Sequence, residues 1–166
     1  MTTDSNPAPA PGVPVLADRS FRHALPPGSR VLTAAGDCRV ETLRPGDRIV
    51  TRDRGMVELR NIIRNDVPTG TAMVAIPAGA MGRNRPERDL HLPLDQPVVI
   101  RDWRAKTIYN AREARIAATR LVDGAIIRRV RTPAMTTYSL VLDAPSALYV
   151  DGIEIVSGAR DAIPAR

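Results

Sequence analysis

Val40-Glu41-Thr42-Leu43-Arg44-Pro45-Gly46-Asp47-Arg48-Ile49-Val50-Thr51 is the stretch on which the reading of this sequence turns. Pro45 fixes φ, Gly46 supplies the permissive position of a tight turn, and the Asp47 carboxylate can accept hydrogen bonds from the turn amides. The turn feeds a β-branched run, Arg48–Thr51. Working outward, Ser29–Thr33 is a similar run broken at Gly36. The turn Asp53-Arg54-Gly55 opens a longer one, Met56–Ile63. Thr71–Ile76 is stopped by Pro77 and Gly79, and Val98–Arg101, Ile126–Arg131, Thr136–Asp143 and Ala147–Val150 continue the series. Asp151-Gly152 turns tightly into Ile153–Ser157. Short strands at this spacing, punctuated by Gly, Pro and Asp, predict an all-β sandwich or barrel. Thr136–Asp143 and Ala147–Ser157 are expected to pair as a hairpin. Two short helical pieces are expected, at Ala111–Arg115 and at Ala117–Val122, the second stopped by Asp123-Gly124.

The 166 residues match one domain with tails, and 43% apolar residues suffice for a core. Aromatics are scarce (Phe21, Trp103, Tyr109, Tyr138 and Tyr149), so Val, Ile, Leu and Ala must fill it. The organisation predicted is a disordered Pro-rich tail over 1–22, a β domain over 23–157 and a flexible tail over 158–166. The N-terminus lacks a charged segment followed by an apolar one, and no apolar run approaches a membrane span. A soluble protein, cytoplasmic by default and without a membrane role, is expected. The net charge of +6 is matched by Arg101–Arg131 alone, where nine basic residues face three acidic ones. Such a stripe can bind nucleic acid. However, Arg is abundant throughout and Lys106 is the sole lysine, which reads as compositional bias. Cys38 is the only cysteine, and His23 and His91 are the only histidines. No intramolecular disulfide or Cys-based zinc site can form, and no metal or cofactor is implied.

Three blocks resemble the bacterial Hedgehog/intein (Hint) family. The first runs Pro27-Gly28-Ser29-Arg30-Val31-Leu32-Thr33, Gly36, then Val40–Thr51, similar to the family's strand, Gly turn and "V-E-x-L-x-P-G-D-x-V" opening. The second is Pro77-Ala78-Gly79-Ala80 with Arg88-Asp89-Leu90-His91-Leu92 and Val98-Val99. The third is Leu121-Val122-Asp123-Gly124, Ile127-Arg128-Arg129, Tyr138–Asp143 and Tyr149–Gly152. The resemblance implies a compact Hint-like β fold of many short strands with one or two helical turns.

It also implies a chemistry. Hint domains use a Cys or Ser at their first position to attack the preceding carbonyl, giving a thioester or ester. A base strengthens the nucleophile, donors hold the oxyanion, and an acid, usually His, protonates the departing nitrogen. The resemblance places the nucleophile at Ala24, three residues before Pro27, and the two histidines at Gln96 and Pro145. None of these side chains can perform its step, and no His-Asn pair closes the domain as splicing requires. Cys38 and Ser29 are the remaining nucleophiles by type, and His91 the remaining acid or base. A lone Cys is usually a small buried hydrophobe, and Ser29 is expected to be structural. His23 is read as a linker residue. On a strand, the odd offset between His91 and Gln96 points them to opposite faces. Asp143 is expected to cap the turn at Ala144-Pro145, and Asp89 to hold a turn or a salt bridge.

Three functions follow from these readings. The leading one is a Hint-like domain inactive for self-cleavage that acts as a structural or protein-interaction module with a protein partner. The alternatives are self-cleavage by a displaced nucleophile, Cys38 or Ser29 aided by His91, and nucleic-acid binding through Arg101–Arg131.

Overall fold

The computed structural model describes residues 23–159. The tail expected over 1–22 and residues 160–166 lie outside the described residues. In chain order the strands are β1 (Arg30–Thr33), β2 (Gly36–Arg39), β3 (Arg48–Thr51), β4 (Gly55–Glu58), β5 (Asn61–Val67), β6 (Thr71–Ile76), β7 (Leu90–Pro93) and β8 (Pro97–Ile100). Helix α1 (Trp103–Tyr109) follows, then β9 (Ala114–Ala117), β10 (Arg128–Thr132), β11 (Met135–Leu142), β12 (Ala147–Val150), β13 (Ile153–Val156) and β14 (Gly158–Ala159). Single 3-10 turns occupy Val40–Thr42 and Ala118–Leu121. The fold is all-β with short helical turns, as the sequence predicts. None of the described helices is long and apolar enough to cross a membrane.

The largest sheet runs β2-β1-β3-β12-β13-β8-β9, with β4 added on β3. Two three-stranded sheets, β10-β6-β7 and β14-β11-β5, complete the fold. Aliphatic side chains from all three, among them Leu25, Val31, Ile49, Val74, Leu140 and Ile155, share one core. Each fully buried Leu or Ile contributes about 1.5–3 kcal/mol.

The Pro45-Gly46 turn forms as expected. The Arg44 amide donates to Asp47 Oδ2 at 2.8 Å, and the Asp47 amide donates to the Arg44 carbonyl at 3.1 Å. Gly46 has φ +98° and donates to the Leu59 carbonyl. Gly46→Ala is therefore expected to destabilise the protein by about 1–2 kcal/mol. Urea denaturation would measure it, and an unchanged midpoint would mean that the turn relaxes freely. Asp151 (φ +46°) and Gly152 (φ +82°) form the two-residue turn between β12 and β13, both left-handed as such a hairpin requires.

Several expectations need correction. Met56–Ile63 is two strands, because Leu59 is fully buried and the chain changes sheets there. The Leu59 amide bonds the Asp47 carbonyl, and the next amide, that of Arg60, bonds Val141. Strand β11 does not form a hairpin with β12. It pairs instead with β5, from Met135↔Val67 to Val141↔Asn61. Ala111–Arg115 is not helical: Ala114–Ala117 adds to β8 as β9, and the helix lies earlier, capped by the Asp102 carboxylate. The turn of helix expected at Ala117–Val122 is present as the second 3-10 turn. The ordered sheet continues to Gly158–Ala159, which pairs with β11.

Candidate functional site

The described chain begins at a backbone bridge. Leu25 and Tyr138 exchange N–H···O=C bonds, both 2.8 Å, which seats residues 23–25 along β11. One residue further along that strand, buried Ser139 donates its hydroxyl to the His23 carbonyl oxygen at 2.5 Å. Asn65 on β5, which lies opposite Thr137, donates diagonally to the same hydroxyl through its side-chain amide at 3.3 Å. The carbonyl preceding Ala24 thus carries a fixed hydrogen-bond donor.

Gln96 approaches from the turn between β7 and β8 and is fully buried. Its Nε2 donates to the carbonyls of Pro97 (3.0 Å) and Val156 (2.8 Å). That fixes the orientation of the amide and turns Oε1, an acceptor, toward His23 Nδ1 at 2.8 Å. Nδ1 must therefore carry the ring proton, leaving Nε2 bare. Nε2 is buried and has no hydrogen-bond partner among the described residues. Burial, partly offset by the Gln96 bond, lowers the His23 pKa to about 4. At neutral pH the ring is uncharged.

The arrangement can polarise the His23 carbonyl, yet Ala24, itself buried, presents only a methyl group beside it. Gln96 can orient and donate, but it cannot shuttle a proton.

The structure brings two of the expected positions, Ala24 and Gln96, together around His23. Pro145 is exposed in the β11–β12 connection. Cys38 sits half-buried on β2, opposite Val31, with Sγ 3.5 Å from Thr33 Oγ1. Ser29 and His91 line one small cleft, but the Ser29 hydroxyl donates to the Pro26 carbonyl at 2.8 Å. His91 lies on β7, and a turn separates it from Gln96, so a shared strand register does not relate them. His23 is no linker residue: it is 5% exposed and packed into the site. Asp143 forms a two-pronged pair with Arg60 (2.9 and 3.1 Å). Asp89 holds a turn, accepting from the Ala78 amide. Ser139 and Asn65 were not singled out from sequence. No sequence signal marks them: Asn65 lies between Arg64 and Asp66 on a largely polar strand, and Ser139 follows Thr136, Thr137 and Tyr138.

The site thus lies in an all-β fold in which residues 23–25 dock along β11 and the His23 carbonyl is held by Ser139. A family profile described as "Hint domain" matches residues 23–160, and the chain belongs to the Hint family. Among solved structures, an intein-like domain from Clostridium thermocellum superposes with a TM-score of 0.56 at 13% identity, covering 82% of this chain and 99% of that one. A DnaB intein from Synechocystis sp. PCC 6803 gives 0.54 at 9% identity, covering 81% and 98%. No curated protein matches the sequence.

Proposed function

We propose that this Hint domain no longer cleaves its own chain and serves as a structural or protein-binding module. One observation carries the reading. The carbonyl that a family nucleophile would attack is still gripped by Ser139, while the side chain beside it, Ala24, is a methyl group. Gln96, occupying the expected histidine position, is tied to two carbonyls and to His23 and has no proton to exchange near neutrality. Pro145, at the other such position, offers none either.

Intact-protein mass spectrometry of fresh and aged protein, with and without thiol or hydroxylamine, tests the proposal. A single full-length mass throughout is expected. A fragment beginning at Ala24, or thiol-dependent cleavage elsewhere, would overturn it.

The cleft shared by Ser29 and His91 favours a second reading, cleavage by a displaced nucleophile. It predicts a cleavage product that Ser29→Ala abolishes. Nucleic-acid binding through Arg101–Arg131 has weaker support, because many of those cations are engaged internally. Arg101 pairs with Glu154, Arg104 with Asp102 and Arg115 with Asp53, while Arg128 and Arg131 donate to the carbonyls of Ala125 and Gly70.

A further inference from the structure

Strand β10 forms one edge of the β10-β6-β7 sheet and pairs with β6 from Arg128↔Ala75 to Thr132↔Thr71. Among the described residues no strand lies on its other side. Along an antiparallel ladder the backbone groups of successive residues face the partner and the open side in turn. The Thr132 carbonyl accepts from the amide of Gly70, the residue preceding β6. Thr132, and with it Val130 and Arg128, therefore faces β6, while Arg129 and Arg131 turn their N–H and C=O groups outward. This open stretch is closed at both ends. Before it, the Ile127 amide donates to Asp123 Oδ1 at 3.0 Å, and the Ile127 carbonyl accepts from the Asp123 amide at 3.2 Å. After it, Pro133 has no N–H to offer. What remains is a short window, Arg129 and Arg131, able to exchange about four hydrogen bonds with one added antiparallel strand.

The side chains decide which strand fits. Arg129 and Arg131 are exposed and, by alternation, share one face. Arg131 donates to the Gly70 carbonyl at 2.8 Å and keeps its other guanidinium hydrogens to spare. Arg128, on the opposite face, is spent on the Ala125 carbonyl. The neighbouring strand β6, Thr71–Ile76, carries no charge to neutralise the pair. Asp123 sits at the closed end, its carboxylate held by the amides of Ala125, Ile126 and Ile127. A second copy of β10 would set arginine against arginine, and like charges directly opposed across a ladder repel. Charged side chains on an edge are the usual guard against such self-pairing. A strand with carboxylates two residues apart reverses the sign, placing one opposite each guanidinium. A nucleic-acid backbone matches less of the window, because phosphate oxygens only accept and leave the outward carbonyls of Arg129 and Arg131 unanswered.

We propose that β10 takes up an extended acidic segment of a partner protein by antiparallel strand addition, with Asp or Glu at positions i and i+2 opposite Arg131 and Arg129. The proposal rests on the protein-binding reading above and names the chemistry of the partner. Self-cleavage is read by mass and strand addition by binding, so either can fail alone.

The test is an amide NMR titration of the whole protein with a capped heptapeptide of threonine and valine that carries glutamate at its third and fifth positions. Saturable shifts centred on Arg129, Val130 and Arg131 are expected, with slowed hydrogen exchange at the Arg129 and Arg131 amides. N-methylation of both glutamate amides keeps the charge but removes the donors, and should weaken binding about tenfold or more. Arg129→Glu, at an exposed side chain, should weaken it to a similar extent, about tenfold. The double variant Arg129→Glu, Arg131→Glu should lose the glutamate peptide and gain the same peptide with lysines in place of the glutamates. A misfolded protein would show no such gain. Absence of saturable shifts, binding indifferent to N-methylation, no loss on Arg129→Glu, or equal or tighter binding of a single-stranded oligonucleotide at the same amides would overturn the proposal.

Discussion

Ala24→Cys is expected to convert a protein of constant mass into one that splits between residues 23 and 24 when incubated with excess thiol. The introduced Sγ would lie one residue from a carbonyl already held by Ser139. Its attack forms an S–C bond, breaks the C–N bond to residue 24 and leaves the nitrogen as an amine. External thiol then displaces Sγ and releases the upstream segment. Two controls make the result specific. In the Ala24→Cys background, Ser139→Ala should slow cleavage about 10²–10³-fold, the usual effect of removing one oxyanion donor. Gln96→His should accelerate it, with a ceiling of about 10²–10⁴-fold if the imidazole transfers the proton. A single full-length mass after prolonged thiol treatment of Ala24→Cys would show that more than the nucleophile has been lost.

Acidification is expected to remove about 2–3 kcal/mol of stability between pH 7 and about pH 4.5 through His23 alone. The ring titrates at 6.5 when unfolded and at about 4 when buried. Between those values the unfolded chain binds more protons, so stability falls as pH falls, and the contribution levels off below about 4. Carboxylates lowered by their partners, such as Glu113 beside Arg52, lose stability in the same direction. The measurement must therefore be a difference. His23→Gln preserves a donor to Gln96 but cannot titrate. Its stability deficit relative to the parent should shrink, or reverse, on going from pH 7 to pH 4.5 in urea titrations. A deficit independent of pH would show that His23 is not buried neutral.

The fold was legible where chemistry is local. The Pro45-Gly46-Asp47 and Asp151-Gly152 turns are written in adjacent residues whose φ requirements leave few alternatives. Pairing was less legible, because nothing near Thr136–Leu142 indicates that β5 rather than β12 lies beside it. Ala111–Arg115 has helix-forming composition, but β8 offers an open edge and tertiary pairing overrides the weak local preference. At the site, Ala24 and Gln96 emerged through the family resemblance. The importance of His23 could not, because its burial depends on Gln96, 73 positions away, and it abuts a Pro-rich segment that reads as a tail. Ser139 was hidden for the same reason: a serine within a strand acquires its role only from the segment docked alongside.

Strand β11 has a further consequence. Leu25 bridges it at Tyr138, and Gly158 pairs with it at Val141. Strand β5 takes the opposite edge through the same stretch, so both ends of the domain lie along one edge of a single strand. They are three residues apart, or about 10 Å. Polypeptides attached at the two ends therefore leave as neighbouring tethers, and each holds the other at a high effective concentration. The same closeness makes the domain a candidate for circular permutation: a short linker could join the ends, and new termini opened in an exposed loop would leave the sheets intact.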